Sequence, residues 1–209
     1  MPRGIAPGLL LNLDWERELH AMQFSFAPPS CTTPSDPKRP LNNARIESVA
    51  KWPWKEAFQS TRCVLPLTAF REPSYWGETE GTEVYFQRKD GDLLHVAGLY
   101  RLWRSPMGDN EVYTMSFLMR PASDYVMEHG HHRQPLFIDE QGIDAWLSPE
   151  KLASKKARDT LRTYAATPEL VHRHVRNMAA SWKSRQKTRL KSRHEQLDFL
   201  KRCEHACGF

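Results

Sequence analysis

Between Arg62 and Ile138 the chain is written in short runs of β-branched, aromatic and alternating residues, a pattern that fits half-buried strands and excludes an all-helical fold. The runs are Arg62 to Phe70, Thr82 to Arg88, Leu93 to Arg104, Val112 to Met119 and Gln134 to Ile138. Gly77, Gly81, Asp90-Gly91 and Pro106-Met107-Gly108-Asp109 punctuate them. Asp90-Gly91 predicts a hairpin, because a type I′ turn requires positive φ at its central residues.

The flanks extend this core. Leu9 to Leu13 and His20 to Phe26 are expected as strands joined by a turn at Asp14 to Glu18, and Pro28 to Pro40, dense in Pro, Ser and Thr, as a surface loop. Ala44 to Ser60 has helical spacing in Ile46, Val49, Ala50, Trp54, Ala57 and Phe58, with a break or restart at Pro53, and Trp52, Trp54 and Phe58 are expected in the core. From Ile143 onward the pattern turns helical, with Ser148-Pro149-Glu150 and Thr167-Pro168-Glu169 as start signals. A last helix over Ala179 to Cys203 carries a thin apolar stripe of Trp182, Leu190, Leu197 and Leu200, so it should dock by one edge. The expected fold class is α+β: a curved, mixed but mainly antiparallel sheet or barrel with short flanking helices, over residues 1–149, followed by a helical basic extension over 150–209.

Charge is unevenly placed. The chain has 209 residues and a net charge of +5, but residues 151–209 hold 15 Lys and Arg against 5 Asp and Glu, which leaves the rest net acidic. Such a block attracts polyanions, nucleic acid first among them, or forms the solvated face of a helix. No run of 18 apolar residues and no signal peptide occur, so a soluble, intracellular protein without membrane attachment is expected. Cys31, Cys63, Cys203 and Cys207 form no CxxC pairs and are expected as reduced thiols. Glu128-His129-Gly130-His131-His132 is rich in ligand types but lacks the HExxH spacing, so neither a metal nor a cofactor is expected.

Three separated elements stand out by comparison with known sequences: Asn43-Ala44-Arg45-Ile46-Glu47-Ser48; Arg62-Cys63-Val64-Leu65-Pro66 followed by Phe70-Arg71-Glu72; and His131-His132-Arg133-Gln134-Pro135. In order and spacing they resemble the signatures NAR-x-E-[ST], RC-[LI]-[IV]-P-x-x-x-[FY]-x-E and H-D-R-M-P of the SOS-response-associated peptidase (SRAP) family. Ala97-Gly98-Leu99-Tyr100 is similar to the family's AGLW segment, Pro2 to Gly8 to its P-R-Y-N-I-A-P-T stretch, and Met22 to Pro29 to its R-W-G-L-I-P-P segment. The resemblance covers about residues 2 to 147, and six ordered matches are far more specific than one triplet.

The resemblance implies recognition of abasic sites in single-stranded DNA during the DNA damage response, in a cytoplasmic, nucleoid-associated monomer. In the family an N-terminal cysteine condenses with the ring-opened aldehyde into a stable DNA–protein crosslink. By resemblance Glu72 is the general acid/base, His131 assists ring opening and reversal, and Asn43 orients the sugar or linkage. Arg3, Arg45 and Arg133 would hold phosphates, while Pro7 and Phe24 would stack on or wedge beside neighbouring bases. The sequence departs from the pattern at Pro73 (for Trp), His132 (for Asp) and Gln134 (for Met), and none of its four cysteines matches the nucleophile. A crosslink is therefore expected only where an N-terminal nucleophile is present. A binding-only protein is the alternative, and peptidase action the least expected.

Overall fold

The computed structural model describes residues 4–35 and 40–207, with side chains as far as Asp198. In chain order the elements are β1 (Ile5–Leu11), β2 (Arg17–Phe24), β3 (Asn43–Arg45), α1 (Lys55–Ser60), β4 (Arg62–Leu67), β5 (Phe70–Pro73), β6 (Thr82–Arg88), β7 (Leu94–Arg104), β8 (Glu111–Pro121), α2 (Asp124–Glu128), β9 (Arg133–Pro135), β10 (Phe137–Ile138), α3 (Gly142–Leu147), α4 (Ser154–Tyr164), β11 (Ala165–Ala166), β12 (Leu170–Asn177) and α5 (Trp182–Cys207). They fall into two compact units, each assembled from three stretches of chain.

The first unit comprises residues 1–67, 93–120 and 135–168. Its centre is a closed ring of five strands, β1-β2-β8-β7-β4, antiparallel at every join except the parallel pairing of β2 with β8. The expected mixed, mainly antiparallel barrel is thus what forms. Closure explains how so many short strands coexist, since a barrel leaves no edge among its ring members. Gly98 makes one part of the ring possible. A Cβ there would lie 2.5 Å from Leu65 Cδ1, 2.8 Å from Cys63 Sγ and 3.1 Å from the Ser116 carbonyl, so only glycine lets β4, β7 and β8 approach this closely.

A large aromatic and aliphatic cluster joins the strands to α1, α3 and α4, with Phe26, Phe58, Leu99, Leu118 and Trp146 essentially without exposure. The first unit also buries one cation. Arg62, 3% exposed, donates Nε to the Trp146 carbonyl at 2.7 Å and Nη2 to the Glu150 carbonyl at 2.8 Å, and further donates to the carbonyls of Gln59 and Ser148. Burial lowers its pKa to about 10, so it stays charged at neutral pH.

The second unit comprises residues 68–92, 121–134 and 169–209. A three-stranded antiparallel sheet, β12-β6-β5, carries α2 on one face, with Phe86 edge-on to Tyr125 and His129 at 6.4 and 6.1 Å. Helix α5 docks by one edge, as its stripe predicts: Trp182 and Leu190 pack on Tyr75, Trp76 and Met127, while Gln186 donates to the Tyr75 carbonyl at 2.8 Å.

Four local expectations are overturned. Ala44 to Ser60 is not a helix broken at Pro53. Asn43–Arg45 is an edge strand parallel to β8, successive turns follow, and only Lys55–Ser60 is helical. Apolar residues still turn inward at Val49, Trp54 and Phe58, so burial and not helical period set their spacing, whereas Trp52 is 75% exposed. Thr167-Pro168-Glu169 leads into a strand, because pairing with β6 outweighs the local start signal. Asp90-Gly91 turns the chain, but β6 and β7 belong to different sheets and form no hairpin. Ser148-Pro149-Glu150 does not open a helix: α4 starts at Ser154, after Ala153, with no side-chain cap. Among the described residues no helix is long and apolar enough to cross a membrane.

Candidate functional site

Two of the residues singled out by sequence meet in the second unit. Strand β5 presents Glu72, and the loop after α2 presents His131, with Nδ1 of the histidine 3.2 Å from Oε2 of the carboxyl. The same Nδ1 lies 3.1 Å from the Pro73 carbonyl. A carbonyl can only accept, so Nδ1 carries the proton and Nε2 is left as the acceptor. The loop is held by a second set of bonds that sequence reasoning did not find. Tyr75 N donates to the Gly130 carbonyl at 2.9 Å, Trp76 Nε1 to the Met127 carbonyl at 2.7 Å and Thr79 Oγ1 to the His129 carbonyl at 3.1 Å. Only the Ser74-Tyr75-Trp76 stretch directly after Glu72 and Pro73 could have hinted at it.

Gly130 is the pivot of that loop. Its φ is +90°, and a Cβ there would fall 1.9 Å from Ser74 Oγ and 2.7 Å from the Trp76 carbonyl. Backbone strain and overlap should together cost Gly130→Ala about 3 kcal/mol of stability. Urea unfolding reads this directly, and a loss under about 1 kcal/mol would contradict the geometry.

Burial dominates the electrostatics. The Glu72 side chain is 16% exposed and that of His131 8%. Burial, reinforced by Glu83 and opposed by Arg189, pushes the Glu72 carboxyl up to about 8. Burial, with His132, Arg189 and Arg133 adding like charge, pushes the His131 imidazole down to about 3. At neutral pH both groups are therefore held neutral, a carboxylic acid beside an imidazole.

Stability should follow from these shifts. The raised Glu72 keeps its proton in the folded state after the unfolded chain has lost it, so its contribution is full below pH 4.5 and is lost as pH rises to about 8. The lowered His131 contributes fully above pH 6.5 and loses that contribution as pH falls toward about 3. The two slopes, each up to about 1.4 kcal/mol per pH unit, oppose each other between the two ordinary values. A stability plateau between pH 4.5 and 6.5 is expected, falling on both sides. Denaturant midpoints across pH 3 to 9 check it, and a maximum near pH 8 would refute it.

Arg189 was not separable by sequence from the other basic residues of the tail. Its guanidinium stands 5.8 Å from the centroid of Tyr75, whose ring meets His131 edge-on at 5.9 Å. Part of the basic block thus packs beside the pair, within the same unit. Arg133 follows His131 in the chain and is partly buried.

Asn43, Arg45, Phe24 and Pro7 lie in the first unit. Asn43 and Arg45 are exposed, two residues apart on edge strand β3, where Asn43 pairs with Phe117 of β8. Phe24 on β2 lies against the ring of that same Phe117 at 4.6 Å, a residue the sequence did not single out. Pro7 is exposed on β1 opposite Ala21. Arg3 lies outside the described residues.

The profile of the SOS response associated peptidase (SRAP) family matches residues 6–181, which takes in β1 through the end of β12. The chain belongs to this family. It is 27% identical over 125 residues to the abasic site processing protein YoqW of Bacillus subtilis (strain 168), an overlap of 59% of this chain and 55% of that protein. It is 25% identical over 179 residues to YobE, an abasic site processing protein of the same organism, covering 79% of this chain and 80% of that one. To the abasic site processing protein HMCES of Gallus gallus it is 26% identical over 173 residues, covering 70% of this chain and half of that protein. Matches to YoqW and HMCES thus span about half the length of those relatives. The fold is similar to a protein from Bordetella bronchiseptica, with a TM-score of 0.66 at 23% identity over 84% of this chain and 85% of that chain. It is also similar to one from Bacteroides thetaiotaomicron, with a TM-score of 0.67 at 21% identity over 84% and 75%.

Within this SRAP chain two other chemistries are constrained. Cys63, on β4, is fully buried, and burial pushes its thiol far up, so it is no nucleophile. Among the described residues no three His, Cys, Asp or Glu side chains converge to hold a metal ion.

Proposed function

We propose that this SRAP protein acts on abasic sites in single-stranded DNA, engaging the ring-opened aldehyde and exchanging protons with it through Glu72 beside His131. The observation that carries the reading is the buried pair itself. A carboxyl pushed up to about 8 can give and take back a proton near neutral pH, and the neutral imidazole 3.2 Å away offers a hydrogen-bond acceptor beside it. The similarity to proteins named for abasic site processing supports the choice of substrate.

In this reading His131 Nε2 accepts the hydrogen bond of the sugar's C1 hydroxyl, whose proton passes to the ring oxygen as the C1–O bond breaks, leaving the aldehyde and a free hydroxyl. When an amine adds to the aldehyde carbon, Glu72 gives its proton to the carbinolamine hydroxyl, which leaves as water, and an imine remains. Arg133, in the same unit as the pair, would hold a phosphate, and the family resemblance gives DNA-contacting roles to Asn43, Arg45, Phe24 and Pro7 of the first unit and to Arg3. A binding-only role is the second reading, favoured by the inert, buried Cys63.

The test incubates the protein with matched abasic and intact single-stranded oligonucleotides. A heat-stable shifted band on the abasic strand supports covalent processing. Tighter but heat-labile binding to that strand supports the binding-only role. Equal affinity for both strands without any adduct overturns both.

A further inference from the structure

The face of the three-stranded sheet turned away from α2 carries a row of cations that the pair does not use. Strand register places Arg71 of β5, Tyr85 of β6 and Arg173 of β12 side by side, and one step further Glu83 beside Arg176. Residues 173 and 176 would normally point to opposite faces. A register shift between His174 and Arg176 absorbs one residue, so Arg176 joins Arg173 on the same face. Within these strands, and among the described residues, three arginines therefore share one face with a single carboxylate, which Arg71 approaches at 3.7 Å and Arg176 at 3.1 Å.

Arg173 is exposed and pairs with no carboxylate among the described residues. Its guanidinium lies 4.4 Å from the centroid of the Tyr85 ring, with Arg71 at 5.9 Å from the same ring. Stacking uses the π face of a guanidinium and leaves its in-plane N–H donors for an anion, in the fork that fits phosphate. With strands about 4.8 Å apart, Arg71 and Arg173 flank Tyr85 at a separation of roughly 10 Å, a span suited to an extended polyanion.

We propose that this sheet face is a second, sequence-independent contact for the phosphodiester backbone of a DNA strand, separate from the Glu72–His131 pair on the opposite face. The choice of DNA as the polyanion rests on the function proposed above. Charge complementarity supplies the affinity, so the contact is salt-dependent and indifferent to the lesion.

The experiment measures the affinity of full-length protein for an intact single-stranded oligonucleotide across about 50 to 200 mM salt, for the wild type, Arg173→Gln and Arg173→Gln/Arg176→Gln. Each lost phosphate contact should lower the slope of log K against log salt by about 0.7 and weaken binding several-fold at the lowest salt. The ratio of affinities for abasic and intact strands should not move. Arg173→Gln removes no ion pair, so its fold should be intact by circular dichroism. Unchanged slopes and affinities in both variants overturn the proposal, even where the preference for abasic DNA persists. A Glu-rich peptide that competes as strongly as DNA, and does so through the same arginines, overturns it in favour of an acidic protein partner. A wild type without preference for abasic DNA, but with an arginine-dependent salt slope, sinks the proposed function and leaves the track standing.

Discussion

Glu72→Gln is expected to slow reaction with an abasic oligonucleotide by about 10²–10⁴-fold, the usual contribution of a positioned general acid or base. The substitution keeps the size and a hydrogen-bonding end of the side chain but removes the transferable proton. The wild-type rate should fall as pH rises through about 8, where Glu72 gives up its proton, and should show no acidic limb from His131, which stays neutral down to about 3. The variant should lose that alkaline limb. It should also lose the decline in stability between pH 6.5 and about 8, and its stability should rise between pH 4.5 and 6.5 where the wild type is flat, because an amide costs nothing to keep neutral in the folded state and only the His131 slope remains. Single-turnover rates with purified protein measure the first effect, and an amide variant within about threefold of wild type would remove Glu72 from the chemistry.

Arg62→Ala should lower stability by about 3–5 kcal/mol, because four backbone carbonyls lose a charged donor worth about 1–3 kcal/mol each and water recovers part of that. Four carbonyls, those of Gln59, Trp146, Ser148 and Glu150, converge on its guanidinium. Truncation leaves them without this donor in the interior, each paying part of its desolvation. Arg62→Lys should recover only part of the loss, since a point charge cannot donate along the four directions of a planar fork. Urea midpoints for the three proteins separate these outcomes. A loss below about 1 kcal/mol in the alanine variant would show that water replaces the guanidinium.

Arg62 also shows how legibility varied along the chain. The sequence marked the Arg62 to Pro66 run as a strand and as part of a family signature, both read from local pattern. It did not show that Arg62 would tie down the connection from α3 to α4, because three of its four acceptors are backbone carbonyls more than 80 residues away and backbone carbonyls have no sequence signature. Asn43–Arg45 is the converse case. Its neighbours have a helical period, yet the segment becomes an edge strand because β8 offers it a parallel pairing partner. Strand β12 does so again, pairing with β6 in spite of a helix-start signal ahead of it.

The candidate site divides in the same way. Glu72 and His131 were legible as residue types in the right order, since motif spacing survives in a single chain. Their neutrality was not. A carboxyl and an imidazole 59 positions apart carry ordinary affinities for protons until folding removes their water, and it is burial that moves one to about 8 and the other to about 3. Sequence alone determined the strand-rich centre, the basic tail and the family, because alternation, charge and motif order are local or linear properties. Tertiary structure alone decided which residues share a unit, which side of a sheet each arginine faces and where the protons sit, because these depend on long-range pairing and on the exclusion of water.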